Sequence, residues 1–147
     1  RDHSGSSAAF GRAMTVRARQ LGAMNSAFKN PHGLTESGQY STAQDMARIA
    51  YRAYRHPTIR AIVGKESCTF RYATGTKKTL ENTNKVLKRM PSCTGMKTGY
   101  THAAGRCLVS SASWHGREVI LVQLGSKTKN IWDDAEQLMG WALGMRS

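Results

Sequence analysis

The chain has 147 residues, 39% hydrophobic and 7% aromatic, and its 22 lysines and arginines against 9 acidic residues give a net charge of +13. That length supports one domain with a real core, is too short for two comfortable ones, and the composition excludes a disordered segment. The charge selects for anionic partners (nucleic acid, an acidic lipid surface, a charged polymer or a small carboxylate) without choosing among them.

In chain order, Ser7 to Leu21 are mostly good helix formers, with Phe10, Met14, Val16 and Leu21 as the larger apolar residues and Gly22 as the stop. Asn30-Pro31 and Gly33 break the next stretch into a turn-rich connection. A second helix begins after Ser41, with Gln44 at capping-box spacing. Its apolar face is Ala43, Met46, Ala47, Ala50, Ala53 and Tyr54. Pro57 ends that helix and opens a short one carrying Ile59, Ile62 and Val63, with His56 as a helix cap.

Residues 68–72, CTFRY, alternate as a strand does, ATGTKKT reads as an exposed turn, and LENTNKVLKRMPS as irregular structure with one helical turn. Three strands follow at 95–101, 106–113 and 117–124, the last two joined through Trp114-His115-Gly116. EVILVQL is nearly all apolar, as a strand in the middle of a sheet should be. A closing helix starts at Asn130, carries Asp133 and Asp134 in its first turn, and buries Ile131, Ala135, Leu138 and Ala142. The expected fold is α+β, with a helical part over about 1–66 and the sheet and closing helix over about 67–147.

Cys68, Cys93 and Cys107 lack C-x-x-C spacing, so they form neither a zinc site nor a disulfide framework. One bridge with a free thiol and three thiols both stay open. The basic residues are spread along the chain with no arginine-rich tail, which argues against a nucleic-acid module. No apolar run reaches membrane-span length, no signal-peptide pattern opens the sequence, and RDHSGSSAAF reads as the interior of a longer chain. His3, His32, His102 and His115 read as surface or turn residues.

One short run carries chemistry. In GMKTGYTHAAGRC (95–107), a lysine, a small hydroxyl and a glycine follow one another on a strand. They offer a fixed cation, a hydroxyl donor and open backbone, a set suited to a bound carboxylate and to an oxyanion. K-T-G is also the third motif of penicillin-interacting enzymes. The KTG run, NTNKVL before it, LGAMNSAFKNPHGL and STAQDMARIAYRAYRHPTIRAIV together resemble the D-alanyl-D-alanine carboxypeptidases. These are the low-molecular-mass penicillin-binding serine peptidases.

The resemblance implies a β-lactamase/penicillin-binding-protein-like transpeptidase fold, with helices on an antiparallel sheet whose edge strand bears the KTG. It implies that Lys97 supplies positive potential near the reacting serine, that Thr98 binds the substrate's terminal carboxylate, and that the Tyr100 N–H joins the oxyanion hole beside Gly99. SGSSAA (4–9) lies where the family has Ser-x-Asn, so Ser4 matches a proton-relaying serine and Ser6 stands in place of the asparagine. The nucleophile motif, Ser-x-x-Lys, belongs upstream of Ser4. The strings SAFK (26–29) and SKTK (126–129) lack its apolar helix and are read as coincidences.

The implied substrate is a peptidoglycan peptide ending in D-Ala-D-Ala. β-Lactams are implied ligands, a missing N-terminal segment a partner, and no cofactor, metal or nucleic acid is expected. The implied location is the periplasm or outer face of the bacterial envelope. The rivals are a catalytically inactive cell-wall-peptide binder, a basic nucleic-acid-binding module, and a class A β-lactamase. The last needs a deacylating glutamate, and Glu36, Glu66 and Glu81 do not fit that family's loop.

Overall fold

The computed structural model describes residues 5–127 and 130–145. Helices α1 (Ser7–Gln20), α2 (Ala43–Tyr54) and α3 (Pro57–Val63) come first. A hairpin of β1 (Ser67–Arg71) and β2 (Lys77–Glu81) follows, then the single turn α4 (Val86–Arg89). Strands β3 (Cys93–Thr101), β4 (Gly105–Trp114) and β5 (Arg117–Ser126) lead to α5 (Ile131–Leu143). β3, β4 and β5 form one antiparallel sheet in that order, and β1 pairs only with β2.

The sheet lies between two helical layers. On one side Leu108 and Ala112 of β4 pack against Val86 and Leu87 of α4 and Ile131, Ala135 and Met139 of α5. On the other, Met96 and Val109 meet Ala50 and Tyr54 of α2, with Ile120 and Val122 alongside. Strand alternation explains the division, since neighbouring residues of β4 point to opposite faces. Truncating a fully buried anchor such as Leu108 removes about 2–5 kcal/mol.

Several expectations are corrected by what tertiary contacts select. Helix α2 is capped by Thr42, whose hydroxyl accepts from the Asp45 N–H, rather than by Ser41. Lys77–Glu81 is a strand, not part of a turn, because pairing with β1 supplies the hydrogen bonds that its lysine-rich sequence does not advertise. β5 lies at the edge of the three-stranded sheet, not in its middle, and among the described residues no strand pairs with its outer side. The buried stripe of α5 is Ile131, Ala135, Met139 and Leu143. Leu138 therefore faces solvent at 46% exposure, and Ala142 is exposed as well.

In α1 only Gly11 and Ala18 are buried, and Phe10 and Val16 stay open to solvent. Ile59 and Ile62 of α3 are exposed too. His56 occupies the N-cap position of α3 without a side-chain cap bond. The β4–β5 connection narrows to His115 and Gly116, both with positive φ (46° and 77°), as a tight two-residue hairpin requires. All three cysteines are thiols, Cys93 being buried and Cys68 exposed.

Candidate active site

Lys97, Thr98 and Gly99 sit on β3, which among the described residues pairs with β4 along one side and with no strand on the other. The strand is held in place from below. Asn84 is buried, and its amide donates to the Gly95 carbonyl at 2.9 Å while its oxygen accepts from the Val86 N–H at 3.1 Å. The Cys93 thiol reaches the same carbonyl at 3.3 Å, and burial pushes that thiol's pKa up. Thr94 links the Tyr54 hydroxyl (2.7 Å) to that of Ser111 (2.9 Å), tying β3 to α2 and β4.

The two glycines of this strand differ in kind. At Gly95, φ is +150° and an added Cβ would fall 2.8 Å from Val63 Cγ2, so α3 can approach only a residue without a side chain. At Gly99 an added Cβ would meet nothing nearer than Cys107 Cβ at 3.9 Å. The fold therefore tolerates a side chain there, and the open backbone of Gly99 is left facing outward.

Lys97 and Gly99 are exposed and Thr98 is half-buried. The Lys97 ammonium donates to the Thr98 carbonyl. The Thr98 hydroxyl lies 2.6 Å from that of Thr83. A hydroxyl that accepts from Thr83 keeps its own proton free for a carboxylate. Tyr100 is 64% exposed, its ring 5.4 Å from the Arg106 guanidinium. Past the KTG, Thr101 accepts from the Thr35 hydroxyl at 3.1 Å and helps line a cleft of about 400 Å³ with Phe28, Pro31 and Tyr40. Pro31 also borders a neighbouring hollow that holds Ser6, Ser7 and Phe10.

Ser6 caps α1, its hydroxyl accepting from the Ala9 N–H at 3.1 Å. No hydrogen bond joins it to Lys97 or Thr98. Ser4 lies outside the described residues.

A family model described as D-alanyl-D-alanine carboxypeptidase matches residues 2–128. The chain belongs to the D-alanyl-D-alanine carboxypeptidase family. It is 41% identical over 125 residues to the carboxypeptidase DacF of Bacillus subtilis, covering 85% of this chain and 32% of that protein. It is 37% identical over 142 residues to DacC of Escherichia coli, covering 94% and 34%. Among solved structures, the D-alanyl-D-alanine carboxypeptidase of Mycobacterium tuberculosis superposes with a TM-score of 0.88 at 28% identity, over 99% of this chain and 57% of that one. The Streptomyces K15 DD-transpeptidase gives 0.86 at 30% identity, over 92% and 54%. The fold is thus that of the penicillin-binding-protein-like DD-peptidases. The chain spans about a third of those two curated relatives and just over half of the solved ones.

As a carboxypeptidase-family chain, it has features the sequence left unread. Asp45 is fully buried and accepts from the Asn25 N–H (2.6 Å) and the Ser26 hydroxyl (2.8 Å) while pairing with Arg48. Ser26 is itself fully buried and also touches the Ser41 hydroxyl at 2.8 Å, so the serine of SAFK faces no solvent. Asn84 and Thr83 belong to the NTNKVL stretch, whose two asparagines, four and two residues before Val86, are a turn signal. Their partners on β3 lie 11 and 15 residues further on, where local pattern gives no hint.

Proposed function

We propose that this chain forms the KTG side of a serine-type D-Ala-D-Ala carboxypeptidase that cleaves peptidoglycan stem peptides through an acyl-enzyme. What carries the reading is an exposed KTG on a strand whose glycine is open for reasons the fold does not supply. A substrate peptide running along β3 finds backbone without a side chain at Gly99. Its terminal carboxylate meets the Thr98 hydroxyl and the Lys97 ammonium. Carbonyl oxygen charge that develops on attack is met by the Tyr100 N–H.

The attacking serine and its lysine are assigned to a segment outside this chain, because Ser26 of SAFK is fully buried and SKTK lacks the apolar helix that such a lysine needs. In the reaction, the serine oxygen bonds to the penultimate D-Ala carbonyl carbon and its proton passes to the lysine. The peptide C–N bond then breaks, D-Ala departs with a proton through Ser4, and water hydrolyses the ester. An apolar groove about 470 Å³ in volume, lined by Phe10, Ala13, Met14, Phe28, Met46 and Ile49, is the seat assigned to that segment. We read the chain as one partial domain, acting at the outer face of the cell envelope. Among the described residues no helix is long and apolar enough to cross a membrane.

The test is acylation by a fluorescent penicillin, followed by peptide mapping, on this chain and on a form extended upstream. The extended form should carry the label on a serine outside these residues, and Lys97→Ala should slow acylation by about 100-fold or more. A label on Ser26 or Ser126 overturns the assignment. A second reading, peptide binding without turnover, is favoured by Ser6, whose hydroxyl is occupied by the α1 cap. It is supported if a D-Ala-D-Ala peptide binds while the extended form takes no label.

A further inference from the structure

The β1–β2 hairpin is unused by this site. Every residue of both strands is exposed. Cys68 pairs with Leu80 and Phe70 with Lys78, so alternation places Cys68, Phe70, Lys78 and Leu80 on one face. Tyr72 joins that face, its ring 5.0 Å from that of Phe70 and nearly perpendicular to it. Phe70, Tyr72 and Leu80 stay 49%, 43% and 40% exposed. The opposite face carries Thr69, Arg71, Lys77 and Thr79. From Ser67 to Glu81 three basic residues stand against one acidic one, Glu81, which pairs with Lys88.

The base of this arm adjoins the KTG. Asn82 ties it to α3 through the Val63 and Lys65 carbonyls (3.3 and 2.9 Å), and the next residue, Thr83, touches Thr98.

We infer that the hairpin is a docking arm for the glycan strand of peptidoglycan, the polymer to which the stem peptide in the KTG site is attached. The inference rests on the function proposed above. A sugar ring has an apolar C–H face that fits an aromatic ring, and a rim of hydroxyls that Thr76, opposite Tyr72, can bond. Lys78, on the ring face, meets the carboxylates borne by the polymer, and Arg71 and Lys77 on the reverse face add to the positive field of the arm. A lipid-inserting arm would carry its apolar residues at the tip, whereas this tip is Ala73, Thr74, Gly75 and Thr76, with Tyr72 at the foot of the turn and Phe70 midway along the arm.

The experiment is calorimetric titration of the full chain with glycan strands freed of their peptides by an amidase, which leaves a lactyl carboxylate on alternate sugars. Co-sedimentation with phosphatidylglycerol vesicles and titration with a soluble peptide ending in D-Ala-D-Ala run in parallel. Phe70→Ala with Tyr72→Ala should weaken glycan binding by about fivefold or more per ring. Lys77→Glu with Lys78→Glu, which leaves the rings in place, should weaken it too and lower its salt sensitivity. Unchanged glycan affinity in either variant overturns the arm, as does a loss confined to the vesicles. The soluble peptide reports on the KTG site alone. Its failure to bind while glycan still binds through the rings would sink the proposed function and leave the arm standing.

Discussion

Gly95 and Gly99 stand four residues apart on one strand, and alanine at each should act on different observables. At Gly95 the new methyl would sit 2.8 Å from Val63 Cγ2, and the backbone holds φ at +150°. Overpacking and the unfavourable φ each cost about 1–3 kcal/mol, so Gly95→Ala should destabilise the protein by about 2–6 kcal/mol. For a chain of this size that corresponds to a Tm lower by about 5–15 °C. At Gly99 the nearest atom lies 3.9 Å away, an ordinary contact. Removing a glycine's freedom in the unfolded chain then adds about 0.4–1 kcal/mol, so Gly99→Ala should leave Tm unchanged or slightly raised. The same methyl stands where a bound peptide would lie and should weaken binding of a D-Ala-D-Ala peptide by about tenfold or more. Thermal unfolding followed by circular dichroism, with peptide titration on the same samples, reads both effects. If Gly99→Ala lowers Tm as much as Gly95→Ala, the distinction between the glycines is wrong. If peptide binding survives it unchanged, β3 is not the peptide's seat.

Asn84→Ala leaves the Gly95 carbonyl with the weak Cys93 thiol alone and the buried Val86 N–H without its acceptor, and denaturant titration should show a loss of about 1–3 kcal/mol. Asn84→Asp keeps the acceptor for Val86 but turns a carboxylate oxygen toward the Gly95 carbonyl, so its folded pKa rises above its unfolded one. That variant should be most stable below about pH 4 and lose stability as pH rises through the folded value; a flat profile would argue against the contact. Cys68 is exposed, while Cys93 is buried with its thiol pKa raised, so a disulfide reagent at mildly alkaline pH should modify Cys68 at once and reach Cys93 only on unfolding. Equal rates would mean that the start of β3 opens in the native protein.

Elements set by their own periodicity were legible in the sequence. β3, β4, β5 and α2 each declare themselves in their own pattern, and the family resemblance that marked β3 as the KTG strand is borne out by the comparisons. Features that depend on distant partners were not legible. Asp45 and Asn84 look like ordinary helix-start and turn residues until Ser26 and Gly95 arrive beside them. The α5 stripe slipped because two stripes of nearly equal apolar content run down that helix. Contact with the sheet selects Met139 and Leu143, which leaves Trp141 81% exposed. β2 was hidden because lysines at 77 and 78 read as a loop, yet a strand open on both faces needs no apolar alternation.

The exposed side of β5 has a consequence for handling the protein. From Val119 to Leu124 the strand carries no charged residue, and the only charges on it are Arg117 and Glu118 at its start. Natural sheets guard such edges with lysines, prolines or bulges placed mid-strand. The one register shift of β5 lies at its end, between Gln123 and Ser126, so among the described residues nothing blunts Val119–Gln123, and two copies can zip antiparallel into one continuous six-stranded sheet. Concentration, more than temperature, will therefore set the shelf life of a preparation, and a lysine introduced at Val122 on the solvent-accessible edge would be a poor remedy because that side chain packs toward α2. The practical lever is a peptide strand supplied in trans, which would satisfy the same backbone groups without burying a charge.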